Sequence, residues 1–373
     1  MDIAPYLNTM VAKNASDLFF STGAPITIKV DGRLAPVDTT LLAPGKVKEI
    51  AYALMSQQQI KTFEDTMEMN LALSVRGIAR FRVNIFRQRG EVSIVVRYIR
   101  ADIPTIENLG LPPVLKDLVM QRRGLILVVG ATGSGKSTTL ASIIDFRNTN
   151  QAGHILTVED PIEYIFKHKR SVLDQREVGI DTLCYANALK NAMREAPDVI
   201  MIGEILDRDT MKHAIVYAET GHLCLSTLHA NNANQALSRI VNFFAQDERP
   251  QLFMDLSLNL RGIISQRLIP ALDGKRLPAV EVLLNTSYIA ELICKGEIDE
   301  IKTAMKEARQ KGIQTFDEAL YALYSAGKIS KDEALLNADS RNDLEWRMNF
   351  GSDGKAPASG GFGAAPPAGL PRA

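Results

Sequence analysis

The stretch from Gly124 to Thr139, GLILVVGATGSGKSTT, decides the fold, because it joins a strand signal, a glycine-rich loop and the start of a helix. Leu125 to Val129 is an apolar run with the length and composition of a buried parallel strand. It leads directly into the phosphate-loop motif G-x-x-x-x-G-K-[ST], and Thr138 to Phe146 is predicted to be helical. A strand, loop and helix in this order predict a nucleoside triphosphate site.

The loop supplies the groups that a triphosphate needs. Glycines let the backbone N–H groups turn inward around the phosphates, and the following helix N-terminus favours an anion. Lys136 can reach the β- and γ-phosphates, and the Ser137 hydroxyl can ligate Mg²⁺. The predicted binding residues are Gly130, Ala131, Thr132, Gly133, Ser134, Gly135, Lys136, Ser137 and Thr138.

The composition is that of a globular protein. A length of 373 residues suggests two domains of about 150 residues or more each. The formal net charge is zero, so no overall field attracts nucleic acid or a membrane surface.

Cys184, Cys224 and Cys294 lie far apart without a C-x-x-C, which argues against a zinc site or disulfide framework. Without a signal-like N-terminus or a membrane-spanning apolar run, we predict a cytoplasmic chain with no direct membrane insertion.

The first hundred residues predict a small α+β domain, followed by a linker at 101–120. A hairpin is expected at Asp31-Gly32, and residues 80–86 alternate between apolar and polar side chains before a turn leads into a partner strand. One face of this second hairpin is rich in arginine. The predicted elements are strands at 17–21, 26–30, 33–37, 80–86 and 91–99 and one helix at 47–63.

Residues 121–345 alternate between strand and helix signals, which predicts a parallel α/β sheet with right-handed crossovers. After residue 234 the chain is expected to be helical apart from one short strand at 280–284. A tail follows at 346–373, where the Gly/Ala/Pro/Ser-rich part from Gly351 cannot bury a core and is predicted to be disordered. The predicted strands are 154–158, 199–203 and 222–228, and the predicted helices are 181–196 and 208–220.

Two of these strands end in acids, where an open parallel sheet collects its ligands. The first is followed by Glu159-Asp160-Pro161-Ile162-Glu163. The second ends in Gly203-Glu204, the Walker B pattern, whose acid holds Mg²⁺ or its water. Of the histidines that flank the next strand, His229 at its carboxyl end is the better candidate to sense a γ-phosphate. His222 is as compatible with a packed core position.

The arginines of residues 76–100 allow three readings. They could contact nucleic-acid phosphates, but aromatic side chains are sparse among them and the net charge is zero. They could neutralise γ-phosphate charge, in the same subunit or across an interface. They could also form a solvated strand face. The second reading is preferred, and no nucleic-acid partner is predicted.

Four motifs resemble one known family in their order and spacing: GATGSGKSTT, VEDPIEY, DVIMIGE and TGHLCLSTLHANNA. They are similar to the secretion ATPases of type II secretion and type IV pili. ASDLFFSTG, IKVDG and ARFRVNIFRQRG look like the pilus-retraction branch, and the resemblance covers about residues 1–345.

The resemblance implies a RecA-like P-loop NTPase domain after a small PAS-like domain, a homo-hexameric ring, and ATP with Mg²⁺. It implies Glu163 as general base and Glu204 at the metal, with His229 and His222 in the family's histidine box. It also implies that Arg80, Arg82 and Arg97 reach the nucleotide from the smaller domain. It further implies twitching motility, a place at the inner membrane through the pilus machinery, a platform protein there, and a paralogous retraction ATPase.

Two departures from the family pattern stand out. The family usually carries an arginine two residues after the Walker B acid, where this chain has Leu206. A retraction segment rich in arginine corresponds here to residues 288–295, YIAELICK, without those arginines. We therefore expect an accessory retraction ATPase. The alternatives are a coupling or regulatory ring subunit with little hydrolysis of its own, and a nucleic-acid translocase.

Overall fold

The computed structural model describes residues 2–30, 32–75, 77–99, 101–308 and 311–351, which form two β-sheets with their helices. Nowhere in these ranges is a helix both long enough and apolar enough to span a bilayer. The N-terminal sheet has six strands and the second sheet has seven.

The N-terminal sheet is antiparallel throughout, in the order β3-β2-β1-β6-β5-β4. Its strands are β1 (Asp17–Ser21), β2 (Pro25–Val30), β3 (Arg33–Leu41), β4 (Glu68–Val75), β5 (Ala79–Gln88) and β6 (Glu91–Ile99). Its helices are α1 (Ala4–Ala12), α2 (Lys46–Leu54) and α3 (Gln57–Thr66).

The alternation predicted for residues 80–86 is confirmed in β5. Phe81, Val83 and Ile85 are fully buried, while the alternating polar residues Arg80, Arg82 and Asn84 lie on the opposite face. Arg89 and Gly90 close the β5–β6 hairpin with positive φ at both positions, as the favoured two-residue turn requires. The β2–β3 hairpin is also confirmed, with Val30 opposite Arg33.

The single helix predicted over 47–63 is wrong, because the helix is interrupted between α2 and α3. Ser56 accepts a hydrogen bond from the Gln59 backbone, and the Gln59 side chain accepts one from the Ser56 backbone. This capping box starts a new helix. Helix α1 and strand β4 were not predicted.

The second sheet has the order β13-β12-β7-β11-β10-β8-β9. All neighbouring strands are parallel except β12 and β13, so the sheet is mixed rather than purely parallel. The strands are β7 (Gly124–Val129), β8 (Gly153–Glu159), β9 (Ser171–Glu177), β10 (Val199–Ile202), β11 (Leu223–Leu228), β12 (Leu260–Pro270) and β13 (Arg276–Leu284).

Helices cover this sheet, and every residue of the adjacent interior strands β7, β11 and β10 is buried. Full burial is expected for parallel strands of a sheet covered on both faces, whereas the edge strand β9 is only partly buried. The helices are α4 (Val114–Val119), α5 (Lys136–Asn150), α6 (Tyr185–Ala192), α7 (Arg208–Glu219), α8 (Ala233–Asn242), α9 (Arg249–Asn259), α10 (Ser287–Lys295), α11 (Ile301–Glu307), α12 (Phe316–Ser325), α13 (Lys331–Leu336) and α14 (Arg341–Phe350), with a 3₁₀ turn at Ile298–Glu300.

Three predictions for this part need correction. The helix predicted at 181–196 is shorter, since α6 spans only Tyr185–Ala192. Strand β9 was not predicted. Residues 260–270, expected to be helical, form β12, since a short apolar run does not distinguish a buried strand from a buried helix. Helix α14 continues to Phe350, so residues 346–350 are helical. The rest of the predicted tail, 352–373, lies outside the described residues, and the domain boundaries stay a prediction.

Candidate nucleotide site

A cleft of about 620 Å³ lies where four adjacent parallel strands, β7, β11, β10 and β8, reach their carboxyl ends. The phosphate loop, the acids after β8 and β10, and the histidine after β11 all contribute to it. The predicted site residues that line the cleft are Thr132, Gly133, Gly135, Lys136, Ser137, Thr138, Glu163, Glu204 and His229.

The phosphate loop turns into α5 through two glycines with positive φ, Gly133 at 77° and Gly135 at 90°. Helix α5 then begins at Lys136, which places the positive end of its dipole at the cleft. The Lys136 ammonium donates to the carbonyl oxygens of Gly130 and Ala131 at 2.9 and 3.1 Å. The lysine that would bind phosphate is thus held across its own loop. Burial lowers the pKa of Lys136, and the charge of Glu204 opposes this shift.

Lys136, His229 and Glu204 form a row across the cleft. The His229 Nδ1 atom lies 3.5 Å from the Lys136 ammonium, and its Nε2 atom lies 2.9 Å from Glu204 Oε1. That contact lacks hydrogen-bond alignment, so within the described part of the chain the buried Oε1 atom has no hydrogen-bond partner. The Thr227 hydroxyl donates to the Gly203 carbonyl at 2.7 Å and fixes the backbone beside Glu204. Three residues predicted from separate motifs therefore meet.

The loop after β8 carries two glutamates in different environments. Glu163 is exposed at the cleft. Glu159 is only 7% exposed, and its carboxylate accepts hydrogen bonds from Thr157 at 2.7 Å and Gln175 at 3.1 Å. Burial raises the pKa of Glu159 to about 7. Beyond this loop, the Tyr164 hydroxyl lies 2.9 Å from that of Thr138 and ties the loop to the start of α5.

Arg82 and Arg97 are not among the described residues that line the cleft. The Arg82 guanidinium donates to the Ile162 carbonyl at 3.3 Å and lies 3.6 Å from the Glu177 carboxylate at the end of β9. It therefore touches the loop that carries Glu163. Arg97 instead pairs with Asp17 in the N-terminal sheet at 2.9 Å.

His222 is also outside the described lining of the cleft. Its ring lies 3.1 Å from the Thr220 hydroxyl and 3.3 Å from the Tyr217 carbonyl. His222 is half-buried there, so it is neither among the described cleft residues nor in the fully buried core. Asp198, at the start of β10, accepts a hydrogen bond from the His154 backbone at 2.8 Å and is structural.

Sequence reasoning missed Tyr185, Gln266 and Glu177. Tyr185 lines the cleft, and a Cβ added at Gly203 would lie 2.9 Å from its hydroxyl. Gln266 hydrogen-bonds the phosphate loop from β12. The sequence signal for Gln266 was a polar residue inside the apolar run LRGIISQRLIP. It was overlooked because this run was predicted to be helical.

Comparison with known proteins agrees with this geometry. The family described as type II/IV secretion system protein matches residues 1–321. The chain belongs to that family. The type IV pilus ATPase PilU of Pseudomonas aeruginosa is 52% identical over 95% of this chain and 94% of its own length. The type IV pilus retraction ATPase PilT of the same organism is 40% identical over 90% of this chain and 97% of its own length.

Solved structures that this chain is similar to show the same fold. A crystal structure of the pilus retraction motor PilT with bound ADP has a TM-score of 0.87 at 40% identity, covering 93% of this chain and 99% of the other. The Legionella pneumophila ATPase DotB has a TM-score of 0.78 at 27% identity, covering 90% and 94%. The predicted fold class, the resemblance to the retraction branch and the assignment as a nucleotide-using ATPase are confirmed.

Proposed function

We propose that this chain is a Mg²⁺-dependent ATPase that works as a homo-hexameric ring and assists type IV pilus retraction, as an accessory to a paralogous retraction motor. The observation that carries the proposal is the convergence of Lys136, His229 and Glu204 in one cleft. The similarity to PilU over 95% of the chain gives this cleft its biological setting. The ring would sit at the inner membrane by binding a pilus platform protein.

In this proposal each residue of the site has its own role. Lys136 and the N-terminus of α5 bind the β- and γ-phosphates. Glu163 is the exposed carboxylate that can accept the proton of the attacking water. His229, between Lys136 and Glu204, can respond to the γ-phosphate. Arg82 holds the loop that carries Glu163, and Arg97 would need to leave Asp17 to reach a nucleotide.

The residues present fit a magnesium ion. Ser137 lines the cleft, and Glu204 brings a buried oxygen that lacks a hydrogen-bond partner within the described residues. Hydroxyl and carboxylate oxygens are the ligands that this hard cation takes, with water and phosphate completing its coordination. Bound there, it would neutralise charge on the phosphates. Ser137 and Glu204 would hold it.

The accessory role is supported by Leu206 and by α10. Leu206 is 53% exposed and has no charge with which to bind a phosphate or a neighbouring carboxylate. Nearby Arg208 does not replace the missing arginine, since its guanidinium donates to Glu248 at 2.9 Å and is not among the described cleft residues. Residues 288–295, in α10, lack the arginines of the family segment.

A retraction assay in cells tests the proposal. Pilus retraction would be measured in cells that lack this gene, the paralogous motor, or both, and then with wild-type or Lys136→Ala chain returned. We expect the wild-type chain to raise retraction only where the motor is present. The Lys136→Ala chain should not do so.

The retraction assay and an ATPase assay on the purified chain separate the alternatives. If Lys136→Ala restores retraction as well as wild type, the chain is a coupling subunit that does not need its own hydrolysis. If purified wild-type chain is an ATPase that DNA or RNA stimulates, the translocase reading is correct and the pilus proposal is wrong.

A further inference from the structure

We propose that Gln266 is a positioning residue that holds the phosphate loop in the shape that binds nucleotide. The inference rests on the nucleotide site described above. Gln266 lies in the middle of β12 and is only 3% exposed. None of the family motifs identified in the sequence includes it.

Both ends of the Gln266 amide are engaged. Its Nε2 atom donates to the Ser134 carbonyl at 2.8 Å, inside the loop. Its Oε1 atom accepts from the Thr139 hydroxyl at 2.6 Å, in the first turn of α5. One side chain therefore joins the loop to the helix that follows it, and it is not among the described residues that line the cleft.

The glycines of the motif make room for this residue. A Cβ at Gly135 would lie 2.6 Å from the side-chain Nε2 atom of Gln266. A Cβ at Gly130 would lie 2.6 Å from the backbone carbonyl oxygen of Gln266. Strand β12 runs parallel to β7 with Ser265 opposite Val129, so Gln266 stands beside the first residue of the loop. The absence of side chains at these glycines lets the loop lie directly against β12, close enough for the two hydrogen bonds of the Gln266 amide to form.

The strand that presents Gln266 is itself anchored on both sides of it. The Ser265 hydroxyl donates to the buried Glu281 carboxylate at 2.9 Å. Arg267 donates to Asp339 at 2.7 Å. The amide is therefore presented by a rigid element, as positioning of a binding loop requires.

Loss of the amide should weaken nucleotide binding rather than unfold the chain. The Ser134 carbonyl and the Thr139 hydroxyl would lose their partners, and the loop would sample other shapes. Each nucleotide would then have to order the loop on binding, and a loop ordered in advance avoids that cost.

Nucleotide affinity in the full-length chain tests this inference. The probe is mant-ADP, titrated by fluorescence against wild type, Gln266→Met and Gln314→Met. Gln314 is the matched control, since its amide donates to the Val280 carbonyl at 2.9 Å and not to the loop. We expect at least roughly tenfold weaker binding for Gln266→Met, since two buried hydrogen bonds to the loop and to α5 are lost, and wild-type binding for Gln314→Met.

A pH series distinguishes positioning from packing. In Gln266→Glu, a protonated carboxyl has one donor and one acceptor and reproduces both contacts, whereas an ionised one cannot donate to Ser134. Burial raises the pKa of such a carboxyl into an accessible range. As the pH is lowered from 8 to 5, the dissociation constant of Gln266→Glu relative to that of wild type should therefore decrease. The dissociation constant of Gln266→Met relative to that of wild type should stay constant.

Wild-type affinity for Gln266→Met, or a Gln266→Glu ratio that does not change with pH, would overturn the inference. Binding of mant-ADP to Lys136→Ala distinguishes an error about Gln266 from an error about the nucleotide site itself. If Lys136→Ala binds mant-ADP as tightly as wild type, the nucleotide site is misplaced. If Lys136→Ala loses binding and Gln266→Met retains it, only the role of Gln266 is wrong.

Discussion

At the scale of single residues, the two glutamates after β8 show how environment separates chemistry from structure. Glu163 is exposed at the cleft, where it can meet a water molecule. Glu159 is buried four residues earlier, with Thr157 and Gln175 donating to it. Under the proposed function, Glu163 is the glutamate that takes part in proton transfer. Glu159 instead links the ends of β8 and β9 through its hydrogen bonds.

Glu163→Gln should bind nucleotide normally but stall hydrolysis, because an amide cannot accept the proton of the attacking water. General acid–base groups contribute about 10²- to 10⁴-fold, so turnover should fall within that range. Steady-state ATPase activity and mant-ADP affinity would be measured together, with the exposed Glu68→Gln as control. Wild-type turnover in Glu163→Gln would remove the residue from this role.

Glu159→Gln should make stability less dependent on pH. Burial raises the pKa of Glu159 to about 7, above the 4.5 of a free glutamate. Between these values the folded chain binds more protons than the unfolded chain, so its free energy of unfolding falls as pH rises. A glutamine can accept both existing hydrogen bonds without charge. Urea unfolding would be measured at pH 5 and pH 8. Relative to wild type, the variant's free energy of unfolding should be higher at pH 8 than at pH 5, by up to about 3 kcal/mol.

The control for that measurement is again Glu68→Gln, in which the carboxylate removed is exposed. Its stability should follow wild type at both pH values. Parallel behaviour of Glu159→Gln and wild type would show that Glu159 stays ionised at little cost in the folded chain.

At the scale of elements, a contact between β5 and the end of β9 joins the two sheets beside the site. Arg82 on β5 reaches both the Ile162 carbonyl and the Glu177 carboxylate. Glu177 in turn accepts a hydrogen bond from the Ile162 backbone at 3.4 Å. The loop that carries Glu163 is therefore held from the N-terminal sheet.

Arg82→Ala should slow hydrolysis by roughly tenfold, since it frees the loop and leaves the buried Glu177 carboxylate without its guanidinium partner. Nucleotide affinity should change little. The matched control is Arg87→Ala, a residue of the same strand that pairs with Glu64 instead. Arg97→Ala, measured alongside, would slow hydrolysis only if Arg97 leaves Asp17 for the nucleotide. Unchanged turnover in both Arg82→Ala and Arg97→Ala would leave these arginines with structural contacts only and no role in hydrolysis.

At the scale of the whole molecule, dependence on a partner ATPase can be tested at Leu206. Leu206→Arg should raise the steady-state ATPase activity of the isolated chain severalfold, because it restores a cation two residues from Glu204. Arg208→Ala is the comparison, and it should not lower turnover, since Arg208 is occupied by Glu248. Brisk wild-type activity that Leu206→Arg leaves unchanged and Arg208→Ala abolishes would contradict the accessory role.

The sequence by itself determined the parts of this protein that local chemistry specifies. The phosphate loop and the acids at strand ends follow from motifs in which residue type, spacing and neighbouring strand signal agree. The alternation of residues 80–86 predicted the buried face of β5, and Arg89-Gly90 predicted its turn. These signals lie within a few residues of one another, so no distant contact was needed to interpret them.

Tertiary structure decided what depends on residues far apart in the chain. Strand β12 pairs with β7, more than a hundred residues earlier, and its apolar run does not reveal that pairing. The contacts of Gln266 with Ser134 and of Arg82 with Ile162 exist only once the sheets have formed. A buried polar side chain must find a partner, but its partner is chosen by the packing that surrounds it.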